Sequence, residues 1–579
     1  MSAALLGLLL GACHPLAAGS APAPALPDAG PSAVLAPVEP SDLVYFVLVD
    51  RFANGDPGND RASPGPAPDP ADPQGWHGGD LRGVLEHLDE LQALGATTLW
   101  LSPVFRTRTE PMGGWGAYHG YWLWDPDTVE PRFGTTAELQ ALAQALRDRG
   151  MGLVLDMVYN HLGYDAPLLQ SHPEYFHHVG TIEDWNDREQ LETREVHGLP
   201  DLDQDLLAVA QWLTRASLGW RDRLQPRGFR VDAVRHMPNA FLRTLGEVLR
   251  QGEPGLWWLG EDFTGDPVAL ADSQRTGGFS HVFDFPLYYA MTDVFCDDAA
   301  PSRLASVLWE DRLYPRPEGL VTFLDNHDLP RLQSRCHGEP ERVEQALTFL
   351  FATRGVPSLS YGTESALQGE QEPANRGDMD YAHRPLAPLI TRLAGQRAEH
   401  PAMRGGVQRV ISLGPQHMAV ARVQGADLVV VGLNQGDRPV PLVLPPELAP
   451  TGPALSLPPH QLVVWPMRRL PQDGAARTWA AQGPLRRVPV EVQGAPSGGR
   501  LVLVGGDPLL GGWDPAHGLA LAEQDGAWRG EVQAPEGAVL EGKPVWLGDD
   551  GSATWAPGDN RALLVGPHSD GGSGWVMAW

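Results

Sequence analysis

Lysine is almost absent from this sequence: the 579 residues include 43 basic ones, and only Lys543 is a lysine. Acidic residues outnumber basic ones by 72 to 43, which gives a net charge of −29. A field of that sign repels phosphate backbones and anionic lipid surfaces. The composition therefore argues against nucleic acid and against a membrane surface as partners, and is compatible with a neutral substrate.

A long apolar run is also missing. The N-terminal apolar segment ends Leu10-Gly11-Ala12-Cys13 and is too short to span a bilayer. It predicts an export signal, and its end resembles a bacterial lipobox, which implies cleavage before Cys13 and lipid attachment there. No Lys or Arg occurs before Arg51, so the usual basic start of a signal is absent. We expect a lipid-anchored cell-envelope protein whose only membrane contact is that anchor, with plain secretion as the alternative.

Cysteine is scarce as well, with three in the chain. Besides Cys13 there are Cys296 and Cys336. In an exported protein these two could form a disulfide. Two unpaired buried thiols are the alternative, because the sequence does not give their separation.

The length predicts several domains, and an apolar content of 42% with 20% charged residues is typical of a globular protein. The predicted boundaries are a signal at 1–13, an Ala/Pro-rich tether at 14–40, a first domain at 41–394, an antiparallel β-domain at 395–470, a linker at 471–486 and a β-sandwich at 487–579. The 19 tryptophans are consistent with sugar binding or with a large aromatic core.

The first domain shows eight short apolar runs separated by segments of helical periodicity. The runs are 43–50, 97–104, 152–160, 228–234, 256–262, 281–287, 320–326 and 356–362. Strands that alternate with helices over this length predict a (β/α)8 TIM barrel, with a doubly wound open sheet as the alternative. The segment at about 162–200 lacks strong periodicity and predicts a short excursion domain after the third strand.

Polar residues collect where four of these strands end. The third strand ends in Asp156 and continues to Asn160-His161, the fourth carries Arg230 and Asp232, the fifth ends in Glu261, and the seventh leads to His327-Asp328. In such barrels the C-terminal ends of the strands form one mouth. A single Asp at a strand end is more often a helix cap or part of a surface ion pair. Here, however, four strand ends carry polar residues in the same register, which favours a functional site.

Two carboxylates on either side of a scissile bond are what glycoside hydrolysis requires. Crowded like charges raise one pKa, which keeps one group protonated near neutral pH. Arg230 lies two residues before Asp232 on the same strand face and is expected to keep that carboxylate ionised.

These segments resemble the signature regions of the α-amylase family of glycoside hydrolases, in order and in spacing, over about residues 43–470. LPDLD (199–203) resembles an additional region in the excursion domain. The resemblance implies Asp232 as nucleophile, Glu261 as general acid/base and Asp328 as the residue that binds sugar hydroxyls and stabilises the transition state. It implies a set of substrate-binding residues: Arg230, His119, Tyr121, His161, His327, Arg235, Glu372 and Arg376. Arg235 departs from the lysine that the family often has, and Glu372 from its common aspartate.

A calcium site is predicted in the loop FANGDPGND (52–60) together with WHGGD (76–80), because hard oxygen ligands in a glycine-bearing loop suit Ca²⁺. An ordinary Asx-rich turn is the alternative. Similar segments in cyclodextrin glycosyltransferases bind calcium, which implies the ligands Asn54, Asp56, Asn59, Asp60, Gly78 and Asp80. A second calcium site shared in the family would use Asn160, Asp201 and the backbone carbonyl of His236.

Residues from about 487 resemble a family-20 starch-binding module, on VGGDPLLGGWDP (504–515) and AWRGEV (527–532). The resemblance implies a sugar-binding site formed by Trp513, Lys543, Trp555 and Asn560. Two tryptophans that form a flat platform suit an α-glucan. The alternative is a generic β-sandwich core, and Trp528, Trp546 and Trp575 are equally open between the core and a second site.

We therefore expect an exported, retaining hydrolase that cleaves internal α-1,4 bonds in starch, glycogen or maltooligosaccharides. A transglycosylase such as a cyclodextrin glycosyltransferase is the alternative, since DAVRHMP resembles its DAVKHMP. The short excursion and the lack of room for an extra sandwich domain argue against that alternative. A non-catalytic starch-binding protein is a third hypothesis. Such a protein should have lost at least one of the three carboxylates, and all three are present.

Overall fold

The computed structural model describes residues 42–445, 448, 455–468, 483–496, 499–548, 552–566 and 574–579. The predicted signal and tether lie outside the described residues, as does most of the predicted linker. The chain divides into two compact units. One comprises the described residues up to Asp284 with Gly319–Ser334 and Val356–Thr391, and the other comprises Phe285–Glu318, Arg335–Gly355 and the described residues from Arg392 onward.

The first unit contains a closed barrel. The strands of this part of the chain are β1 (Val44–Val47), β2 (Thr98–Leu101), β3 (Phe105–Thr107), β4 (Leu123–Val129), β5 (Gly152–Met157), β6 (Gly228–Val231), β7 (Trp257–Gly260), β8 (His281–Phe283), β9 (Leu320–Thr322) and β10 (Val356–Ser360). Eight of them pair in parallel in the order β1-β2-β5-β6-β7-β8-β9-β10 and close on β1, while β3 and β4 form a separate hairpin. Each barrel strand lies within one of the eight predicted runs, so the TIM barrel prediction is confirmed.

The barrel strands are buried on both faces. Every residue of β1, β2, β5, β6 and β7 is buried. Parallel strands covered on both sides need apolar side chains at every position, which is why these segments read as continuous apolar runs and not as alternating ones. Polar groups are then tolerated chiefly where they have partners, and Asp156 and Arg230 are the two charged residues inside these strands.

Helices alternate with the strands along the sequence. They are α1 (Leu81–Glu86), α2 (Leu88–Leu94), α3 (Thr136–Asp148), α4 (Leu168–Ser171), α5 (Arg188–Thr193), α6 (Leu207–Leu224), α7 (Asn239–Leu249), α8 (Pro267–Arg275), α9 (Phe285–Cys296), α10 (Ser302–Trp309), α11 (Leu332–Arg335), α12 (Pro340–Ala352), α13 (Ala387–Glu399) and α14 (Pro401–Arg404). In α3 the capping box of Thr135 and Glu138 satisfies the first free amides. Gly150, with φ of 70°, follows its C-terminal end as the sequence predicts.

The predicted excursion after the third barrel strand contains only short elements. These are α4, α5 and the 3-10 turns Pro173–Tyr175 and Val196–Gly198. Isolated bridges join His161 to Asp201 and Thr181 to Glu195. The segment therefore returns to the C-terminal end of β5 without building a sheet of its own among the described residues.

The C-terminal part is antiparallel. Its strands are β11 (Val407–Gly414), β12 (His417–Gln424), β13 (Asp427–Asn434), β14 (Val440–Leu442), β15 (Leu455–Leu457) and β16 (Gln461–Arg468), followed by β17 (Leu485–Gln493), β18 (Arg500–Gly505), β19 (Leu519–Gln524), β20 (Ala527–Pro535), β21 (Val539–Leu547), β22 (Ala553–Trp555), β23 (Arg561–Leu564) and β24 (Trp575–Ala578). The first group forms the sheet β11-β12-β13-β16 and the pair β14-β15, and the second group forms one curled sheet. The predicted boundary at 395 falls inside α13, which ends at Glu399.

Two features of the second unit settle questions that the sequence leaves open. Cys296 and Cys336 form a disulfide, with Cα atoms 4.3 Å apart. Trp528 and Trp575 are 5% and 4% exposed and belong to the core, and Trp546 packs edge-on against Trp528. Within the described ranges, none of the helices combines the length and the apolar character that a membrane crossing needs.

Candidate active site

Arg230, in β6, is the central residue of the predicted site, and its side chain is fully buried. Its Nη1 atom donates to Asp156 Oδ1 at 2.7 Å and to Asp232 Oδ1 at 2.6 Å. Its Nη2 atom lies 2.7 Å from Glu261 Oε1, but without the alignment of a hydrogen bond. One guanidinium therefore holds three carboxyl groups that come from the ends of β5, β6 and β7.

The two predicted catalytic carboxyl groups have different surroundings. Burial, together with the negative charges of Asp232, Asp328 and Asp156, raises the pKa of Glu261 to about 8, against the opposing effect of Arg230. Asp232 instead receives an aligned hydrogen bond from Arg230 at 2.6 Å. Near neutral pH the site therefore holds a protonated Glu261 beside an Asp232 that is bound directly to the guanidinium.

Asp328 lies on the other side of this group. Although burial raises its pKa, the nearby His327, Arg376 and Arg230 outweigh burial and hold the pKa of Asp328 below its usual value. Arg376 donates to Asp328 Oδ1 at 3.0 Å and to Glu372 Oε1 at 2.6 Å. The Nε atom of Arg376 also donates to the His327 carbonyl at 2.8 Å, so Arg376 connects Glu372 with the Asp328 segment.

Aromatic and histidine rings line the same site. Tyr121 stacks on His327 with ring centroids 5.1 Å apart and planes within 1°, and His119 lies 5.8 Å from Tyr121. Burial lowers the pKa of His119 and of His161, and lowers that of His327 to about 3. His161 Nε2 and His327 Nδ1 are buried without a partner in the described part of the chain. Neutral imidazoles with free nitrogens can bind sugar hydroxyls, which both donate and accept.

Residues beyond Glu261 form a more exposed edge. Arg235 donates to the Phe263 carbonyl at 3.2 Å, and its Nε lies 3.9 Å from Asp262. The Phe263 side chain is 40% exposed. Trp185, from the excursion, is 46% exposed and lies edge-on to His236 with centroids 5.9 Å apart. Two exposed rings near Arg235 and His236 give this edge an apolar surface that the sequence reasoning did not single out.

Three further residues position the predicted ones. Asp156 Oδ2 accepts from Tyr121 Oη at 2.9 Å and from Trp100 Nε1 at 3.1 Å, while its other oxygen binds Arg230. Burial raises the pKa of Asp156 to about 7. Asn375 donates to the His327 carbonyl at 3.0 Å. The position of Asp156 at a strand end could have identified it from the sequence. Nothing in the sequence around Trp100 or Asn375 indicates their positioning role.

The predicted calcium loop brings its residues together. Asn54 donates to Asp60 Oδ1 at 2.9 Å, and Asn59 Oδ1 is buried without a partner. A Cβ atom on Gly78 would come within 2.5 Å of Asn54 Nδ2 and 2.8 Å of Asp60 Oδ1, so only glycine fits there. An amide oxygen without a partner, beside a carboxylate, suits Ca²⁺. The ion therefore fits the set of donors formed by Asn54, Asn59, Asp60 and the Gly78 carbonyl.

Asp80 and Asp56 make hydrogen bonds within this loop. Asp80 caps α1 through Gly83 N and accepts from Gly55 N, Asp56 N and Asn59 Nδ2, so four hydrogen bonds occupy its two oxygens. Asp56 Oδ1 accepts from Gly58 N. Both residues shape the loop. Nowhere in the described ranges do three or more His, Cys, Asp or Glu side chains form a metal cluster, so a Ca²⁺ ion here would need amide and backbone oxygens in addition to the Asp60 carboxylate.

The second predicted calcium site shows an ambiguity of the Asn160 amide. In one orientation the amide donates to the His236 carbonyl at 2.6 Å and to Asp201 Oδ1 at 3.3 Å. In the other orientation the Asn160 oxygen faces those two oxygens, which leaves three oxygen atoms available to a cation. His177 Nδ1 lies 2.6 Å from the other oxygen of Asp201. The donor set fits Ca²⁺ in the second orientation.

The predicted starch site lies in the curled sheet. Trp513 and Trp555 are 36% and 39% exposed, with ring centroids 6.2 Å apart. Their planes are inclined by 41°, so the platform is tilted and not flat as predicted. Lys543 donates to the Gly558 carbonyl, and Asn560 donates to Glu541 Oε1 at 3.2 Å. Two inclined rings suit a curved chain of sugars better than a flat one.

Comparison with known proteins agrees with this geometry. Residues 46–392 match the family "Alpha amylase, catalytic domain", and residues 487–573 match "Starch binding domain". A beta/alpha-amylase from Paenibacillus polymyxa is 31% identical over 411 residues, which cover 68% of this chain and 33% of that relative. This chain therefore spans about a third of that relative's length.

Solved structures also resemble the chain, and two of them illustrate the range. An α-amylase from Geobacillus thermoleovorans in complex with acarbose has a TM-score of 0.65 at 31% identity, over 74% of this chain and 96% of that one. CldA, described as a cyclomaltodextrin glucanotransferase with a three-domain ABC distribution, has a TM-score of 0.68 at 29% identity, over 74% of this chain and 99% of that one. With its closed barrel and its match over residues 46–392, the chain belongs to the α-amylase family of glycoside hydrolases, family 13, and carries a C-terminal starch-binding domain.

Proposed function

We propose that this protein is a retaining hydrolase that cleaves internal α-1,4 bonds of starch, glycogen and maltooligosaccharides. The observation that carries the proposal is the contact of one buried guanidinium with both carboxyl groups, Asp232 by an aligned hydrogen bond and Glu261 without one. A shared guanidinium holds the pair close together, and a separation of about 5 Å is typical of retaining enzymes.

In the first step an Asp232 oxygen attacks the anomeric carbon while the bond from that carbon to the leaving oxygen breaks. Glu261 gives its proton to that oxygen, and the enzyme carries a covalent glycosyl group. In the second step Glu261, now ionised, takes a proton from water, whose oxygen attacks the anomeric carbon and frees Asp232. The raised pKa of Glu261 suits the first step, because the acid holds its proton at neutral pH.

Asp328 stabilises the transition state by binding the hydroxyls of the reacting sugar, and Arg376 orients it. Tyr121 stacks on the apolar face of that sugar, and His119, His161 and His327 bind its hydroxyls as neutral imidazoles. Arg376 with Glu372 binds the next sugar. Calcium would be held by Asn54, Asn59, Asp60 and the Gly78 carbonyl, and by Asn160, Asp201 and the His236 carbonyl; when bound, it orders these loops.

Transfer to a sugar acceptor is the second candidate activity. The exposed rings of Phe263 and Trp185 favour it, because an acceptor sugar stacked there would compete with water for the covalent intermediate. The likeness to CldA weakens the objection that this chain lacks room for an extra sandwich domain, since CldA is itself described as having three domains.

We also propose that the protein is exported and tethered by a lipid on Cys13. The Cys296–Cys336 disulfide supports an oxidising compartment. Metabolic labelling with a fatty acid analogue tests the tether, and Cys13→Ala is expected to abolish the label.

Product analysis tests the activity. Purified protein with calcium and soluble starch should release linear maltooligosaccharides that are α-anomeric at first, and Asp232→Asn should abolish release while starch binding persists. Cyclic or elongated products would move the assignment to a transglycosylase. Unchanged turnover in Asp232→Asn would refute the nucleophile, and starch binding without any product would leave a non-catalytic binding protein.

A further inference from the structure

Glu310 lies far from the starch-binding domain in the sequence but against it in the structure. It follows α10 and begins the 3-10 turn Glu310–Leu313. The residues beside it are bound to the domain: Trp309 Nε1 and Arg312 Nη2 both donate to Asp507 Oδ2, at 2.7 Å and 2.6 Å. Asp507 is 2% exposed, so these bonds are shielded from water and fix the turn against the domain.

The carboxyl group of Glu310 accepts no hydrogen bond in the described part of the chain, although the charge of Arg312 acts on it. The residue is 6% exposed, and no hydrogen bond to its side chain occurs within the described segments. Neither of its oxygens is among the fully buried, unbonded atoms, so both keep some contact with solvent. The two neighbouring carboxylates are already engaged, Asp507 by Trp309 and Arg312, and Glu541 by Asn560. Among these three acidic side chains, Glu310 is therefore the one that accepts no hydrogen bond in the described segments.

Gly506 shows where that carboxyl group lies. A Cβ atom on Gly506 would come within 2.9 Å of Glu310 Oε1 and 3.0 Å of Trp513 Nε1. The two polar atoms are therefore at most about 6 Å apart, a gap that one bridging hydroxyl or water can span. The indole N–H of Trp513, like Glu310, has no hydrogen-bond partner in the part of the chain that is described. A sugar hydroxyl can accept from the indole and bond to the carboxyl at once.

We propose that Glu310 completes the glucan site of the starch-binding domain by binding a sugar hydroxyl beside Trp513. The site is then composite: the tilted tryptophan pair supplies the apolar surface, and a residue from outside the domain supplies a buried polar contact. This inference rests on the proposed binding of α-glucan at Trp513 and Trp555. Buried polar contacts discriminate between ligands more sharply than exposed ones, so Glu310 would add orientation as well as affinity.

The test uses the full-length chain in the Asp232→Asn background and titrates β-cyclodextrin by calorimetry at pH 6. Glu310→Ala should weaken binding about tenfold, because a buried hydrogen bond is lost. Glu310→Gln should stay within about threefold, since the amide replaces the carboxyl in shape and bonding. Glu523→Ala, which removes an exposed glutamate of β19, should bind as the parent does.

Two comparisons separate the possible failures. If Trp513→Ala binds as tightly as the parent, the starch site itself is misplaced and the proposed function of the domain fails. If Trp513→Ala loses binding while Glu310→Ala does not, only the role of Glu310 is overturned. If both Glu310 variants lose binding and also melt several degrees lower, Glu310 acts by holding the domain in place, which overturns the proposal as well.

Discussion

The alkaline limb of the pH–activity profile should report the proton on Glu261. Burial and three neighbouring carboxylates raise the pKa of this group to about 8. Because the first step needs the protonated form, kcat/KM should fall to about half at pH 8, to about a tenth at pH 9 and to about a hundredth at pH 10. The sign follows from the role: an acid that must donate loses activity as pH rises through its pKa.

Asp328→Asn tests why the pKa of Glu261 is raised. Asp328 is one of the charges that raise the pKa of Glu261, so its removal should move the alkaline limb to lower pH. A charge interaction of about 2 kcal/mol is a reasonable magnitude for neighbouring groups at an effective dielectric constant of about 20, and it corresponds to a shift of about one to two pH units. The residual activity of the variant on maltooligosaccharides, measured as the release of reducing ends from pH 5 to pH 10, gives the position of its alkaline limb.

Asp89→Asn is the matched control, because it removes the same charge from a side chain that is 84% exposed on α2. The control should leave the limb where it is. A profile of the parent enzyme that stays flat to pH 10 would refute the assignment of Glu261 as the acid. A limb that does not move in Asp328→Asn would refute the electrostatic explanation and leave burial as the cause.

Three further predictions follow from the same contacts. Replacing both Cys296 and Cys336 by alanine should cost about 4 kcal/mol of unfolding free energy, since the bond closes a loop of 40 residues; a melting temperature equal to that of the parent would contradict this. Excess Ca²⁺, at about 100 times its Kd, should stabilise the protein by about 3 kcal/mol relative to chelator, and Asn59→Ala should lose part of this gain; a parent that melts identically in chelator and in calcium would contradict the metal assignment. Phe263→Ala should lower the ratio of transfer to hydrolysis at high maltooligosaccharide concentration, as chromatography of the products would show, whereas an unchanged ratio would remove Phe263 from the acceptor side.

The barrel could be predicted from the sequence because its strands are buried on both faces. Continuous apolar runs of similar length, each followed by helical periodicity, leave few other architectures. The same rule placed the site, since residues at the C-terminal ends of parallel strands must meet. Asp156, Arg230 and Glu261 meet as that rule requires, at the ends of three successive barrel strands.

Contacts between distant segments could not be predicted in this way. The pairing of Cys296 with Cys336 depends on a Cα distance of 4.3 Å that no pattern encodes. Trp309 and Asp507 are 198 positions apart, and neither belongs to a motif that points to the other. The tilt of Trp513 against Trp555 was also not predictable, because Trp513 lies in the connection between β18 and β19 whereas Trp555 ends β22, and residue type does not set the angle between two such positions.

Asp232 and Glu261 are both bound to Arg230, and what distinguishes them is the geometry of that contact. Asp232 accepts an aligned hydrogen bond from Arg230 at 2.6 Å. Glu261 approaches the same guanidinium at 2.7 Å without alignment, so burial and the surrounding carboxylates outweigh the attraction and its proton is retained. Asp156 makes this division possible, because it shares Nη1 with Asp232 and so fixes the plane of the guanidinium. The proposed roles of nucleophile and acid thus depend on how β5, β6 and β7 orient one arginine.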